Sequence, residues 1–173
     1  MAEATPWQRE IHRVLKAYDV KQVAYVPDAG HAGLIDLCAA DNQMKTVVLS
    51  TEEEGIAMLA GAWLGGERGV LLMQSSGVGN CVNMLSLPRT CGLPLLMLVT
   101  MRGEWKEFNP WQIPMGQGTR PVMEQSGSLI FRIDNAADAA DVVDGACRMV
   151  FEGCSIATVQ IGQRVVGAKS FGR

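Results

Sequence analysis

The stretch KTVVLSTEEEGIAMLAGAWL, residues 45–64, encodes a strand that is followed at once by a helix. Lys45 to Leu49 is rich in β-branched and apolar residues, which predicts a strand. Ser50 and Thr51 then lead into three glutamates and a run of small and apolar residues. This pattern is typical of a helix that begins near Glu52 and continues to the end of the stretch. Because parallel sheets are built from such units, the stretch indicates an α/β fold.

The same alternation of strands and helices continues along the chain. The predicted strands are residues 22–26, 45–49, 69–74, 93–100, 129–133 and 155–161, and the predicted helices are residues 7–18, 31–40, 52–64, 78–87, 120–125 and 136–151. Residues 101–119 are predicted to be irregular. Several strands are apolar on both faces, which indicates a parallel sheet covered on both sides. We therefore expect residues 1–173 to form a single domain, a three-layer α/β/α sandwich around a mostly parallel sheet of about six strands.

Composition excludes several classes of protein. The chain has 173 residues, of which 48% are hydrophobic, enough to bury one sizeable core. Its net charge of −3 and lack of a basic cluster argue against a nucleic-acid surface. No apolar run reaches membrane-spanning length, and the first residues lack the pattern of a signal peptide. The five cysteines form no C-x-x-C pair and the two histidines offer little to a metal, so we expect a cytoplasmic protein with free thiols and no metal site of its own.

Four polar segments each follow a predicted strand directly. They are residues 27–31, 50–55, 74–80 and 101–118. In open parallel sheets, ligands bind beyond the carboxyl ends of the strands. The four segments should therefore gather at one edge of the sheet, and their convergence predicts a binding site there.

The acidic run at the start of the third helix has two interpretations. Two capping-box frames fit it, one pairing Ser50 with Glu53 and the other pairing Thr51 with Glu54. Glu52 is the acid that neither frame uses. A carboxylate held in a dry pocket beside a close-packed helix is a candidate proton carrier, which is the functional alternative for Glu52.

Two loops at the same edge also allow a structural and a functional interpretation. QSSGVGN, residues 74–80, is either a strand-to-helix turn that needs glycine or a loop whose amides receive an anion or a polar ring. It is neither a Walker loop nor a complete G-x-G-x-x-G motif. Residues 101–118 carry Trp105, Phe108 and Trp111, and a loop of this length is either an aromatic-anchored connection, a lid or a partner surface.

Together these segments resemble the pyrimidine-binding (Pyr) domain of thiamine-diphosphate enzymes, especially the α subunits of sulfopyruvate decarboxylases and the related phosphonopyruvate decarboxylases. The resemblance spans roughly residues 7–162. The residues that carry it are Val26-Pro27-Asp28, Glu52-Glu53-Glu54-Gly55, Met73 to Asn83, Arg102-Gly103-Glu104, and Pro110 to Gly116. Each motif is unspecific by itself, whereas their combination is specific.

The resemblance implies a 2-keto acid decarboxylase that uses thiamine diphosphate. Alignment of Gly61-Ala62-Trp63 with the corresponding family segment places the activating glutamate at Glu52, which would hydrogen-bond N1′ of the aminopyrimidine ring. By the same resemblance, the cofactor-binding residues are Pro27, Asp28, Glu52, Gly77, Gly79 and Asn80. The candidate substrate residues are His31, Gln74, Ser75, Arg102 and Gln112, with Lys106 as a further cation for an anionic group. Ala29 stands where these decarboxylases often have serine, so the substrate stays open among a sulfonate, a phosphonate and a second carboxylate.

The chain lacks the G-D-G segment, followed later by asparagine, with which related families bind diphosphate and magnesium. The resemblance therefore implies a split enzyme, in which a β subunit carries the diphosphate-binding domain and binds Mg²⁺. Thiamine diphosphate would be shared between the subunits, and the chain would also self-associate. The substrate would be a small anionic 2-keto acid. Two alternatives remain: a non-catalytic Pyr-like scaffold or regulatory subunit, and a flavodoxin-like nucleotide or flavin binder.

Overall fold

The computed structural model describes residues 4–167, which form a parallel sheet of six strands flanked by helices. The strands are β1 (Val20–Tyr25), β2 (Lys45–Val48), β3 (Arg68–Gln74), β4 (Leu95–Thr100), β5 (Leu129–Ile133) and β6 (Ile156–Ile161). They lie in the order β2-β1-β3-β4-β6-β5, and each neighbouring pair is parallel. The expected three-layer α/β/α architecture is confirmed.

Helices cover both faces of the sheet. The helices are α1 (Pro6–Ala17), α2 (Ala32–Ala40), α3 (Glu52–Leu64), α4 (Val78–Cys81), α5 (Ser86–Cys91), α6 (Ile113–Gln125), α7 (Ala139–Phe151) and α8 (Gln163–Val166). Three short 3₁₀ turns occur at Ser75–Gly77, Pro110–Gln112 and Ala136–Asp138. One buried cluster joins α1, α2 and α7 to the sheet, and a second joins α3, α4 and α6 to the opposite face. The central strand β4 is buried along its whole length, as its apolar sequence predicts.

The predicted helix over residues 78–87 is wrong in its extent. The structure has two short helices there, α4 and α5, with a turn at residues 82–85 between them. Pro88 does not stop a helix but lies in the first turn of α5. Backbone N–H groups in a first turn have no partner within the helix, so a proline is tolerated there.

The irregular stretch is also shorter than predicted. We expected irregular chain over residues 101–119, but α6 begins at Ile113. The helix includes Pro114 in its first turn and Pro121 in its interior, and proline at the latter position is normally unfavourable. A Cβ atom on Gly116 would lie 1.9 Å from the carbonyl oxygen of Arg102. The helix therefore packs directly against the segment that follows β4, and this packing outweighs its weak helical propensity.

No helix within residues 4–167 combines the length and the apolar character that crossing a lipid bilayer would require.

Candidate active site

Glu52 is buried between the first turn of α3 and the start of α4. Although it is the first residue of its helix, only 7% of its surface is exposed. Asn80 on α4 donates a hydrogen bond from Nδ2 to Oε2 of Glu52 at 2.7 Å. The carboxylate is thus held at one oxygen, while the other, Oε1, has no hydrogen-bond donor among residues 4–167.

Gly77 makes room for this carboxylate. A Cβ atom at position 77 would lie 2.1 Å from Oε1 and 2.3 Å from Cδ of Glu52. The backbone of Gly77 has φ −74°, which any residue can adopt, so the need for glycine here is purely one of space. The side chain of Glu52 therefore crosses the backbone of the loop that follows β3, at a position where only glycine fits.

The two capping boxes expected for the acidic run do not form. Thr51 is the residue before α3, and its side chain makes no cap to the helix amides. Its hydroxyl donates instead to Glu53 at 3.2 Å, while Glu54 accepts from the backbone N–H of Ser50 at 2.8 Å. Glu54 therefore bonds to Ser50, one residue before Thr51, which is the partner that the capping box predicts. Glu52 takes no part in these bonds, and its carboxylate contacts Asn80 and Gly77 instead.

Asp28 joins the carboxyl ends of three strands. It follows β1, and its Oδ2 accepts from the hydroxyl of Thr100 at 2.6 Å and from the N–H of Gly30 at 3.1 Å. Its Oδ1 accepts from Gln74 Nε2 at 2.8 Å. Ser76 in turn donates to Gln74 Oε1 at 2.9 Å. Asp28 and Gln74 are therefore brought together as expected, but each is already engaged in a polar network.

Arg102 lies beside this network and is buried. It lines a cavity of about 190 Å³ together with Asp28, Gly30 and Thr100. Its guanidinium forms a bidentate pair with Glu107, with both N···O distances at 2.7 Å. Arg102, a candidate substrate residue by the resemblance, is therefore already paired with one carboxylate. The buried hydroxyl of Ser75 accepts from the backbone N–H of Arg102 at 3.0 Å and so connects two loops.

The structure does not support a substrate contact for His31, because its side chain is fully buried. Its Nε2 donates to the carbonyl of Leu98 at 3.1 Å, since a carbonyl oxygen can only accept. Burial lowers the pKa of His31, and the charge of Asp28 only partly offsets this effect. His31 is therefore a neutral residue packed beneath the site.

The other candidate residues lie in the segments that follow β1, β3 and β4. Pro27 and Gly79 are exposed, and a Cβ on Gly79 would lie 3.3 Å from Met115 Sδ. Gln112 ends the 3₁₀ turn before α6, and its Oε1 is buried without a hydrogen-bond donor among residues 4–167. Lys106 stacks on Trp105 at 4.7 Å from the ring centroid.

The sequence did not single out Thr100, Glu107 or Gln163. Thr100 ends β4 and Gln163 follows β6, so the rule that sites lie beyond strand ends could have found both. The same rule covers the segment that contains Glu107 but does not single this residue out, because its role depends on the folded position of Arg102.

An exposed apolar surface lies at the start of α6. Trp111 is 84% exposed and, with Pro110, Pro114 and Met115, lines a groove of about 700 Å³ that continues to Val122. Met115 also lies close to Gly79, in the loop that the side chain of Glu52 crosses. No three His, Cys, Asp or Glu side chains within residues 4–167 come together in a way that would hold a metal ion.

Comparison with known proteins gives one family. The profile of the family described as "Thiamine pyrophosphate enzyme, N-terminal TPP binding domain" matches residues 8–115. The α subunit of sulfopyruvate decarboxylase from Methanococcus maripaludis is 36% identical over 115 residues, which are 66% of this chain and 69% of that protein.

Two longer relatives match a larger part of this chain. The sulfopyruvate decarboxylase of Methanosarcina acetivorans is 28% identical over 146 residues, 84% of this chain and 37% of its own length. The phosphonopyruvate decarboxylase of Streptomyces viridochromogenes is 32% identical over 136 residues, 78% of this chain and 34% of its own length.

Among solved structures, a 2-oxoglutarate:ferredoxin oxidoreductase from Magnetococcus marinus has a TM-score of 0.76 at 12% identity. That match covers 94% of this chain and 29% of the solved chain, and it shows a shared fold.

Proposed function

Since the chain belongs to the family of thiamine pyrophosphate enzyme N-terminal binding domains, we propose that it is the α subunit of a split thiamine-diphosphate-dependent 2-keto acid decarboxylase. The arrangement of Glu52, Asn80 and Gly77 is the observation that carries this proposal. It combines a buried carboxylate, an asparagine that fixes one oxygen, and a glycine whose lack of a side chain admits the group. A non-catalytic scaffold would not need this arrangement.

Glu52, Asn80 and Gly77 fit the aminopyrimidine half of the cofactor. Glu52 Oε1 would exchange a hydrogen bond with N1′ of the ring, while Asn80 keeps the carboxylate in place through Oε2. Gly77 leaves the space that the Glu52 carboxylate fills, and Gly79 lies against Met115. When bound, thiamine diphosphate supplies the carbon nucleophile and the electron sink for loss of carbon dioxide. This chain contributes a carboxylate that holds a proton at a defined atom.

The lengths of the relatives support a split site. The chain covers 69% of an α subunit but only 37% and 34% of two longer decarboxylases. We propose that a separate β subunit supplies what the remaining part of each longer chain supplies there. No G-D-G segment occurs in the sequence, and we propose that the β subunit binds the diphosphate and its Mg²⁺. All five cysteines are free thiols, in agreement with a cytoplasmic enzyme.

We propose a substrate with two anionic groups, a 2-keto acid whose tail is a sulfonate or a phosphonate. The curated relatives are named for sulfopyruvate and phosphonopyruvate. On this chain, the cavity that Asp28, Thr100 and Arg102 line is the place for such a tail. Arg102 would meet the tail through the part of its guanidinium that Glu107 does not occupy, whereas the carboxylate of Asp28 is held by Gln74 and Thr100.

The test is reconstitution with a candidate β subunit, a chain that carries G-D-G followed by asparagine. Carbon dioxide release would be measured from sulfopyruvate, phosphonopyruvate and pyruvate, with thiamine diphosphate and magnesium. We expect activity from the complex and none from either chain by itself. A complex that binds the cofactor but releases carbon dioxide from none of these acids would favour the scaffold. Tight binding of magnesium diphosphate by the isolated α chain would contradict the split site.

A further inference from the structure

We propose that Gln163 is a positioning residue, which acts through Glu107 to fix the guanidinium of Arg102 for the anionic tail of the substrate. The inference rests on the proposed function and extends it to a residue outside the expected site. Gln163 begins α8 immediately beyond β6, and only 1% of its surface is exposed. None of the motifs in the sequence involves it.

Gln163 uses its whole side-chain amide on the segment that follows β4. Its Oε1 accepts from the backbone N–H groups of Glu104 and Trp105, each at 2.9 Å. Its Nε2 donates to Glu107 Oε2 at 2.9 Å. Its own backbone N–H donates to Glu104 Oε2 at 3.1 Å. Four hydrogen bonds thus tie residues 104–107 to the end of β6.

Glu107 passes this restraint on to Arg102. Its carboxylate accepts five hydrogen bonds: two from the guanidinium of Arg102, two from the N–H groups of Gly103 and Asn109, and one from Gln163. Burial would by itself raise the pKa of Glu107, but these donors outweigh it and lower the pKa to about 2. The carboxylate therefore stays charged and keeps the guanidinium in one orientation.

The restrained guanidinium still has donors to offer. Glu107 occupies Nε and Nη2 of Arg102, whereas Nη1 meets no acceptor among residues 4–167. Arg102 lines the 190 Å³ cavity with Asp28 and Thr100. A fixed guanidinium loses less side-chain entropy on binding an anion than a mobile one does. This is how the orientation of Arg102 would contribute to the affinity for substrate.

The site requires an amide at position 163. Only a side chain with both an acceptor and a donor can receive two N–H groups at one end and donate to a carboxylate at the other. Glutamate would place a second negative charge 2.9 Å from Glu107, where like charges repel. Methionine has a similar shape but can replace none of these hydrogen bonds.

The main test compares Gln163→Met, Gln163→Glu and Arg102→Met in the reconstituted complex, with the acid that the wild type decarboxylates fastest. Loss of a hydrogen bond to a charged group predicts a KM about tenfold to a hundredfold higher for each variant, with kcat within about threefold of the wild type. Because Gln163 acts through Arg102, the double variant should have the same KM as Arg102→Met. An unchanged KM in Gln163→Met, or effects that multiply in the double variant, would overturn the proposal. If Gln163→Met does not fold, Gln163→Glu, which keeps the length and shape of the side chain, carries the same test by itself.

A binding measurement separates this inference from the proposed function. Sulfoacetate carries the anionic tail without a keto group, and its binding to the isolated full chain can be followed by the amide NMR shifts of Glu104 and Trp105. We expect the wild type to bind it and Gln163→Met to bind at least tenfold more weakly, whether or not the complex decarboxylates anything. Equal binding by the two proteins, or no binding by the wild type, would overturn the role of Gln163.

Discussion

Substitution of Gly77 by alanine tests the geometry around Glu52 directly. The new Cβ atom would lie 2.1 Å from Oε1 of Glu52, whereas real Cβ contacts essentially never fall below 3.0 Å. The carboxylate must therefore retreat by at least 0.9 Å, and its 2.7 Å hydrogen bond from Asn80 would be lost or lengthened. Since a displacement of about 1 Å at a reacting group reduces turnover by about 10²-fold, we expect a loss of that order in kcat.

The effect on stability should be much smaller than the effect on activity. Loss of a hydrogen bond to a charged group costs about 1.5–3 kcal/mol. At φ −74° alanine is accepted without backbone strain, and the smaller conformational freedom of the unfolded chain returns about 0.4–1 kcal/mol. The free energy of unfolding should therefore fall by about 0.5–2.6 kcal/mol, so the variant remains folded.

The assay measures carbon dioxide release by the complex and urea unfolding of the α chain. Gly61→Ala is the matched control, because it lies on the helix that Glu52 begins and nothing lies within 4 Å of its added Cβ. We expect Gly61→Ala to keep the wild-type kcat and to gain up to about 1 kcal/mol of stability. Full activity in Gly77→Ala would refute the idea that Glu52 must stay where the structure places it.

Three further predictions follow from the described contacts. Asn80→Ala removes the donor to Glu52 Oε2, so kcat/KM for carbon dioxide release should fall about tenfold or more, and an unchanged value would separate Asn80 from the site. Glu107 has a folded-state pKa of about 2, below its ordinary 4.5, so it stabilises the fold above about pH 4.5 and this contribution is lost as the pH falls towards 2. Glu107→Gln should lower the free energy of unfolding at pH 7 by about 3–5 kcal/mol and flatten its decline between pH 4.5 and 2, and an equally steep decline would contradict this role. Burial raises the pKa of Cys38, Cys81 and Cys147 to about 12, so iodoacetamide at pH 8 should label only the exposed Cys91 and Cys154 of the native chain, as mass spectrometry can determine.

Much of the fold follows from local patterns in the sequence. Apolar strands bounded by turn residues located all six strands to within about two residues, because burial on both faces leaves a strong signal. The errors fall where tertiary contacts override propensity. Pro88 lies in the first turn of a helix and Pro121 in the interior of another. The sequence could not indicate which neighbouring contacts offset the cost of a proline there.

The site was predictable as a location but not as a network. The rule for strand ends brought Asp28, Gln74 and Glu52 to one edge, and the resemblance distinguished Glu52 from its two neighbours. The partners of each side chain depend on distances between segments far apart in the chain. The pairing of Arg102 with Glu107 and the burial of His31 are of this kind. A charge count along the sequence treats Arg102 as free, whereas the folded chain neutralises it.

The most direct test of the central claim compares Glu52→Gln with Glu53→Gln in the reconstituted complex. Both changes remove one negative charge from the first turn of α3, but only Glu52 is buried against Asn80 and Gly77. We predict that Glu52→Gln loses carbon dioxide release by about 10²-fold or more, while Glu53→Gln retains it within about threefold. Full activity in Glu52→Gln would contradict the account, and inactivation by Glu53→Gln instead would place the activating carboxylate one residue further along the helix.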